Sequence, residues 1–176
     1  MLNISYLEDV VARLQELKKL AEGAIAQIEK DQLFQTWDDE TNSIALTMKH
    51  VAGNMRSRWK DFLTSDGEKP DRNRDSEFIV EAADNPETIL ARWQEGWNYL
   101  FEALGTLTPE DLNKTVLIRN QPHTVYQAIN RQLIHYGTHI GQIVFMAKHL
   151  AAGHWKSLSI PRGGSQELNR ELMDRK

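Results

Sequence analysis

The segment from Thr124 to about Ala152 constrains the fold of this chain more than any other stretch. It is long and nearly uncharged: it contains no Asp or Glu, and its only Lys and Arg residues are Arg131 and Lys148. Its first four residues have the spacing of a capping box, which marks the start of a helix. A helix with so few charges needs neighbours that cover most of its surface. The sequence therefore predicts that this segment is the central helix of a helical bundle.

Three other segments have the periodicity of amphipathic helices, with apolar residues recurring every three or four positions. They run from about Ser5 to Lys30, from Ser43 to about Thr64, and from Pro86 to Gly105. A short charged helix is predicted to begin near Gln166, and the extended piece Val116–Ile118 is too short to form a sheet. The length is that of one domain. We therefore predict an all-α fold, a four-helix bundle with a short C-terminal helix, in a single domain over residues 1–176.

The composition excludes several kinds of site and partner. The chain has no cysteine, which removes disulfides, thiolate metal ligands and a cysteine nucleophile from consideration. Its net charge of −4 is mild and spread along the sequence, which argues against nucleic acid or a membrane as the partner. The first residues lack the profile of a signal peptide, and no apolar run reaches the roughly 18 residues of a spanning helix. We expect a cytoplasmic protein that acts on a small molecule.

Two histidines four residues apart, His135 and His139, lie inside the predicted central helix. Residues at this spacing lie one above the other on the same face, so both imidazoles can reach one cation. The turn between them lacks the Glu of the zinc-protease motif H-E-x-x-H, so protease chemistry is not expected. A tight site needs a third protein ligand, and His50, on an uncharged row of the second helix, is placed where it can supply one. The spacing alone equally allows histidines that simply pack in the core.

Two motifs resemble those of the DinB-like metal-binding four-helix bundles, a superfamily that includes the bacillithiol S-transferases and the mycothiol-dependent maleylpyruvate isomerase. They are Met48-Lys49-His50-Val51-Ala52-Gly53-Asn54 in the second helix and His135-Tyr136-Gly137-Thr138-His139-Ile140-Gly141-Gln142-Ile143 in the fourth. The resemblance runs over essentially the whole chain, and residues 42–45, 57–68 and 155–163 are similar to an uncharacterised branch of the superfamily. It implies that His50, His135 and His139 bind one divalent metal ion and that the protein is a homodimer.

Three imidazole ligands leave coordination positions open for water or substrate, an arrangement typical of a catalytic site. Zinc and nickel both accept imidazole nitrogen, and the sequence does not distinguish between them. The resemblance implies a metal-dependent enzyme that transfers a low-molecular-weight thiol onto an electrophile, with hydrolysis of a small substrate as the other reaction. A non-catalytic metal-binding or stress-related bundle is the alternative to an enzyme.

Four further residues are candidates for binding the substrate or the thiol. Asn54 lies one turn after His50, and Gln142 lies one turn after His139, so their amides can reach a bound ligand or orient a histidine. Arg58 and Arg162 are candidates for binding a carboxylate, because a guanidinium group forms two parallel bonds with it. The alternative for the two amides is ordinary contact between helices, and for the two arginines an exposed position on the surface.

Overall fold

Each long helix begins at the capping residue that the sequence provides. In the computed structural model, which describes residues 5–174, the side chains of Ser5, Ser43, Asn85 and Thr124 each accept a hydrogen bond from a backbone N–H in the first turn. Such a cap satisfies one of the unpaired N–H groups at the helix start and contributes about 1 kcal/mol. The four starts therefore lie where the sequence predicts them.

Five α-helices and one small hairpin make up the regular structure of the described residues. The helices are α1 (Tyr6–Ile25), α2 (Ile44–Trp59), α3 (Pro86–Gly105), α4 (Val125–Leu150) and the short α5 (Ser165–Met173). The strands are β1 (Thr115–Ile118) and β2 (Gln121–Thr124). Four single-turn 3₁₀ helices lie in the connections, at Lys30–Phe34, Asp75–Phe78, Pro109–Asn113 and Ala152–His154.

The long helices pack around one shared core. Helix α2 contacts α3 and α4, and α1 contacts the same two helices. Large side chains fill the centre, among them Trp93 and Trp97 of α3 and Tyr136 of α4. At Gly96 the helices α2 and α3 approach so closely that an added Cβ would lie 3.0 Å from the Cα of Ala52. The result is a mainly helical bundle, and no helix within residues 5–174 is long and apolar enough to cross a membrane.

Two elements differ from the prediction. Helix α2 ends at Trp59 instead of about Thr64, because Lys60 is extended and Asp61 has a positive φ of 52°. Residues 115–118 do form a small sheet, which corrects the prediction that the extended piece Val116–Ile118 is too short for one: they pair with residues 121–124 in an antiparallel hairpin, and the fold stays mainly helical. Its two-residue turn, Arg119 and Asn120, has φ of 56° and 59°, as tight hairpins require.

The most buried helix is α2 and not α4. Thirteen of the sixteen residues of α2 are buried, whereas nine of the twenty-six residues of α4 are. One side of α4 lies at the surface, with Ile134 and Phe145 about 70% exposed (72% and 67%). The prediction that α4 is covered on most of its surface was therefore wrong. Burial within this chain does not explain why the helix carries so little charge.

Candidate metal centre

Two helices bring the three predicted histidines together. Helix α2 supplies His50, and α4 supplies His135 and His139. Each histidine contributes one ring nitrogen, and these three nitrogens all lie within 4.8 Å of one another. The ring centroids are 4.6 to 5.4 Å apart. His50 therefore lies opposite the pair, a position that the uncharged row of α2 permitted. The cluster can hold a metal ion.

His50 is oriented by a buried carboxylate. Its Nδ1–H donates to Oε2 of Glu77 at 2.8 Å, which leaves Nε2 as the nitrogen available to a ligand. Glu77 is itself fixed by Arg72, whose Nε and Nη2 donate to the two carboxylate oxygens at 2.8 Å each. Burial acts to raise the pKa of Glu77, but hydrogen bonds from His50 and Arg72 outweigh it and lower the pKa below its usual value. The group is therefore an ionised acceptor, the arrangement that commonly supports a metal-binding histidine.

Gly53 makes room for this carboxylate. It follows His50 by three residues in α2, and a Cβ built there would lie only 2.3 Å from Oε1 of Glu77. Any side chain at this position would displace the carboxylate, because the same Cβ would also lie 2.8 Å from Cδ of Glu77. The sequence analysis did not find Glu77, Arg72 or Gly53 as parts of the site. A glycine in a helix interior without a capping role was the one available signal.

The other two histidines also present one nitrogen to the cluster. Nδ1–H of His139 donates to Oε1 of Gln142 at 2.8 Å, so Gln142 orients a histidine, one of the two roles considered for it. Nε2 of His135 is buried and has no hydrogen-bond partner within the described chain. Burial, together with the nearby His139 and His50, lowers the pKa of His135 to about 3, and burial also lowers that of His139. Both rings are thus neutral at neutral pH, the form that binds metal.

These features fit a divalent ion that accepts imidazole nitrogen. Two rings have their Nδ1 engaged, and the third keeps a buried nitrogen that is unsatisfied unless a ligand binds it. An orphaned buried nitrogen costs roughly 1–3 kcal/mol, so a native chain retains it where something else satisfies it. Zinc and nickel both match this donor set.

An open cavity of about 420 Å³ lies against the cluster. It is lined by His50, Asn54, Arg58, Arg72, Arg74, Arg119, Arg131, Gln132, Ile134, His135 and Thr138. The volume is within the range of small-molecule sites. The site therefore offers a ligand both a metal position and a recess beside it.

Of the three remaining predicted residues, Asn54 and Arg58 line the cavity and Arg162 does not. Asn54 lines the cavity, and its Oδ1 accepts from the hydroxyl of Tyr136 at 3.0 Å. Burial raises the pKa of Tyr136, so the hydroxyl stays protonated and able to donate. Arg58 also lines the cavity, but it is buried and hydrogen-bonded to the Gly67 carbonyl and to Glu68. Arg162 is exposed in the segment before α5 and is not among the residues around the cavity.

The protein is thus a mainly helical bundle with a three-histidine cluster that can hold a metal ion beside an open cavity. The chain belongs to the family described as "Protein of unknown function (DUF1572)", whose model matches residues 2–164. Neither the curated proteins nor the solved structures gave a significant match to the chain.

Proposed function

We propose that the protein is a divalent-metal-dependent enzyme of the DinB-like type. The observation that carries the proposal is the convergence of three imidazoles, two oriented through Nδ1 and one with a buried, unpartnered Nε2. A divalent ion at this position would favour the deprotonated form of a bound thiol or water. The cavity beside the cluster supports catalysis over a structural role, because structural sites are closed by protein ligands.

Thiol transfer onto an electrophile is the reaction that the surroundings of the cluster favour. Hydrolysis of an amide or ester needs a group that moves a proton to the leaving group. Among the described residues that line the cavity there is no Asp or Glu, and the nearby Glu77 is engaged by His50 and Arg72. A thiol held as its thiolate has already lost its proton to solvent, and when its sulfur forms the new C–S bond the bond that breaks can be one to a leaving group that departs as a stable anion and needs no proton. A cysteine-free chain fits the cytoplasm, our proposed location, where low-molecular-weight thiols remain reduced.

Metal analysis tests this function. Protein purified without a histidine tag should contain about one zinc or nickel ion per chain, and His135→Ala should lose it. His154→Ala is the matched control, because His154 lies outside the cluster and should leave the metal content unchanged. Metal should also raise the melting temperature of the wild type, since a ligand that binds only the folded state stabilises it by mass action.

Two outcomes would contradict the proposal. A wild-type protein that contains no metal would contradict both the proposed enzymatic function and the proposed metal site. Apolar variants of His50 and His139 that melt at or above the wild-type temperature, with no response to a chelator, would show instead that the histidines only pack the core.

We also propose that the protein is a homodimer that pairs through α4. The exposed side of this helix carries the apolar Ile134 and Phe145, together with its only Arg and Lys residues, Arg131 and Lys148. Gly137 and Gly141 have no neighbouring atoms around a built Cβ. A second copy would cover these apolar side chains, and the glycines would let two helices approach closely. This explains why a helix that is only partly buried in its own chain carries so little charge.

A further inference from the structure

The cavity beside the histidines concentrates positive charge in a chain that is acidic as a whole. Five of the eleven arginines of the sequence line it, although the net charge of the chain is −4. They come from α2, from the loop after it, from the hairpin turn and from α4: Arg58, Arg72, Arg74, Arg119 and Arg131. Separate parts of the fold thus direct guanidinium groups to one place.

The carboxylates around the cavity do not balance these arginines. Glu68 is shared among three of them, with N–O distances of 3.0 Å to Arg58, 3.4 Å to Arg72 and 3.1 Å to Arg119. Glu77 pairs with Arg72, and Asp75 lies 3.9 Å from Arg74. A fourth carboxylate, Asp66, accepts from the backbone N–H groups of Arg119 and Asn120. Five guanidinium groups therefore face four carboxylates, and the cavity keeps an excess of positive charge.

Arg131 is the arginine with the greatest freedom to bind a ligand. It has no ion-pair or hydrogen-bond partner in the described part of the chain, and its side chain is exposed at the cavity. It precedes His135 by four residues in α4, so it lies on the same face as the histidine, about 5–6 Å away along the helix. An anionic group at Arg131 is thus one helical turn from the position where a metal would be.

Unsatisfied polar atoms occur at the same place. Five buried side-chain atoms in the described residues lack a hydrogen-bond partner, and two of these are indole nitrogens of the core. The other three are Nε of Arg58, Oε1 of Gln132 and Nε2 of His135, all in residues that line this cavity. Arg58 and Gln132 are both at least 95% buried. Their unused hydrogen-bonding capacity indicates a polar ligand in addition to the metal.

We propose that the cavity binds a small anionic substrate through a carboxylate or phosphate group, with Arg131 as the main contact, while the unpartnered Oε1 of Gln132 accepts a hydrogen bond from a donor group of the same molecule. The reaction of the other end of this molecule at the histidine cluster rests on the proposed function. The binding of the anion does not rest on it. The group is held about one helical turn from the cluster, which limits the substrate to a short molecule. The remaining arginines strengthen the attraction by their field.

Calorimetric titration of metal-free and zinc-loaded protein tests this inference with succinate, inorganic phosphate and neutral succinamide at constant ionic strength. Succinate or phosphate should bind, and succinamide should not. Whichever anion binds more tightly identifies the group that the site prefers. Arg131→Gln should weaken binding by roughly tenfold or more, because it removes a charge-assisted hydrogen bond. Arg162→Gln is the matched control, since Arg162 is exposed and outside the cavity, and it should leave the affinity unchanged.

Equal weakening by the two variants, equal binding of succinamide and succinate, or no binding of either anion would overturn the inference. Failure of the proposed function looks different. If the wild type contains no metal but still binds succinate in a manner that depends on Arg131, the proposed anion site is supported and the proposed enzymatic function is contradicted. If zinc binds and no anion does, the metal site stands and the anion site does not.

Discussion

Glu77 determines how His50 is presented, although no motif marks it. We predict that Glu77→Gln weakens zinc binding by about 10- to 100-fold, because a neutral amide accepts a weaker bond from Nδ1–H and loses the ion pair with Arg72. Competition with a chelating dye measures the affinity. Glu81→Gln is the control, because Glu81 pairs with Lys49 and contacts no histidine. Equal affinity of Glu77→Gln and the wild type would show that the carboxylate does not support the ligand.

The absence of a side chain at Gly53 leads to a second prediction about zinc affinity. Gly53→Ala should lower zinc affinity, because the new Cβ would meet Oε1 of Glu77 at 2.3 Å and displace the carboxylate from His50. Gly105→Ala, at the end of α3, is the control: no atom lies within 4 Å of its Cβ, and it should leave the zinc affinity unchanged. The same dye competition applies, and a Gly53→Ala protein with wild-type affinity would contradict the account.

The predictability of the site differs from one residue to the next for a physical reason. His50, His135 and His139 lie on helices, where a fixed periodicity tells which face each side chain occupies. Glu77 and Arg72 come from the polar stretch between α2 and α3, where no repeating pattern exists, so their approach to His50 follows only from the folded loop. Arg162 is exposed and does not line the cavity, and its segment likewise has no periodicity from which the direction of the side chain could be predicted.

At the scale of elements, a buried ion pair joins α2 to the segment before α3. Lys49 donates to Asp84 at 2.7 Å, to Glu81 at 2.9 Å and to the Ile79 carbonyl at 3.0 Å. The side chains of Lys49 and Asp84 are 6% and 1% exposed. Lys49 is buried because three oxygens neutralise and satisfy its ammonium group.

Removing one partner of this pair should destabilise the fold. We predict that Asp84→Asn lowers the free energy of unfolding by roughly 3 kcal/mol, because Lys49 then keeps a buried charge with a weaker partner. Urea unfolding followed by circular dichroism measures the change. Glu87→Gln is the control, since Glu87 forms an exposed pair with Lys30 that should contribute little. Similar losses in the two variants would contradict the role assigned to burial.

The same pair predicts how stability depends on pH. Burial acts to raise the pKa of Asp84, but hydrogen bonds from Lys49 and the Glu81 backbone lower it below the usual 3.8. A carboxyl with a lowered pKa stabilises the folded state above its unfolded pKa and loses that contribution as the pH falls through its folded pKa. The wild type should therefore lose stability on acidification below about pH 4, and Asp84→Asn should lose less over that interval.

Element boundaries were predictable where a cap or a proline marks them and not elsewhere. Asn85 and Pro86 give the start of α3 directly. The end of α2 was missed because apolar residues continue beyond it, at Phe62 and Leu63, while side chains of Ser57 and Arg58 bind the Gly67 carbonyl and draw the loop back. Tertiary hydrogen bonds of this kind leave no trace in the periodicity of the sequence.

At the scale of the whole molecule, the open question is the oligomer. We predict that the wild type sediments as a dimer and that Phe145→Glu sediments as a monomer, because a charge buried between two copies of α4 would be strongly unfavourable. Leu172→Glu is the control: Leu172 is an exposed apolar residue of α5 and should leave the dimer intact. Sedimentation velocity separates the two species, and a Phe145→Glu dimer would place the interface elsewhere.

One chain of ion pairs runs from the histidine cluster to the rim of the cavity: His50 contacts Glu77, Glu77 pairs with Arg72, Arg72 pairs with Glu68, and Glu68 pairs with Arg58 and Arg119. An anion that competes with Glu68 for these arginines changes how Arg72 is shared between Glu68 and Glu77. Coupling between two binding equilibria is reciprocal. We therefore expect a bound anion to change zinc affinity by the factor by which zinc changes anion affinity, a relation that titrations in both orders measure. Occupancy of the proposed anion site would then set how firmly the histidine cluster holds a metal ion.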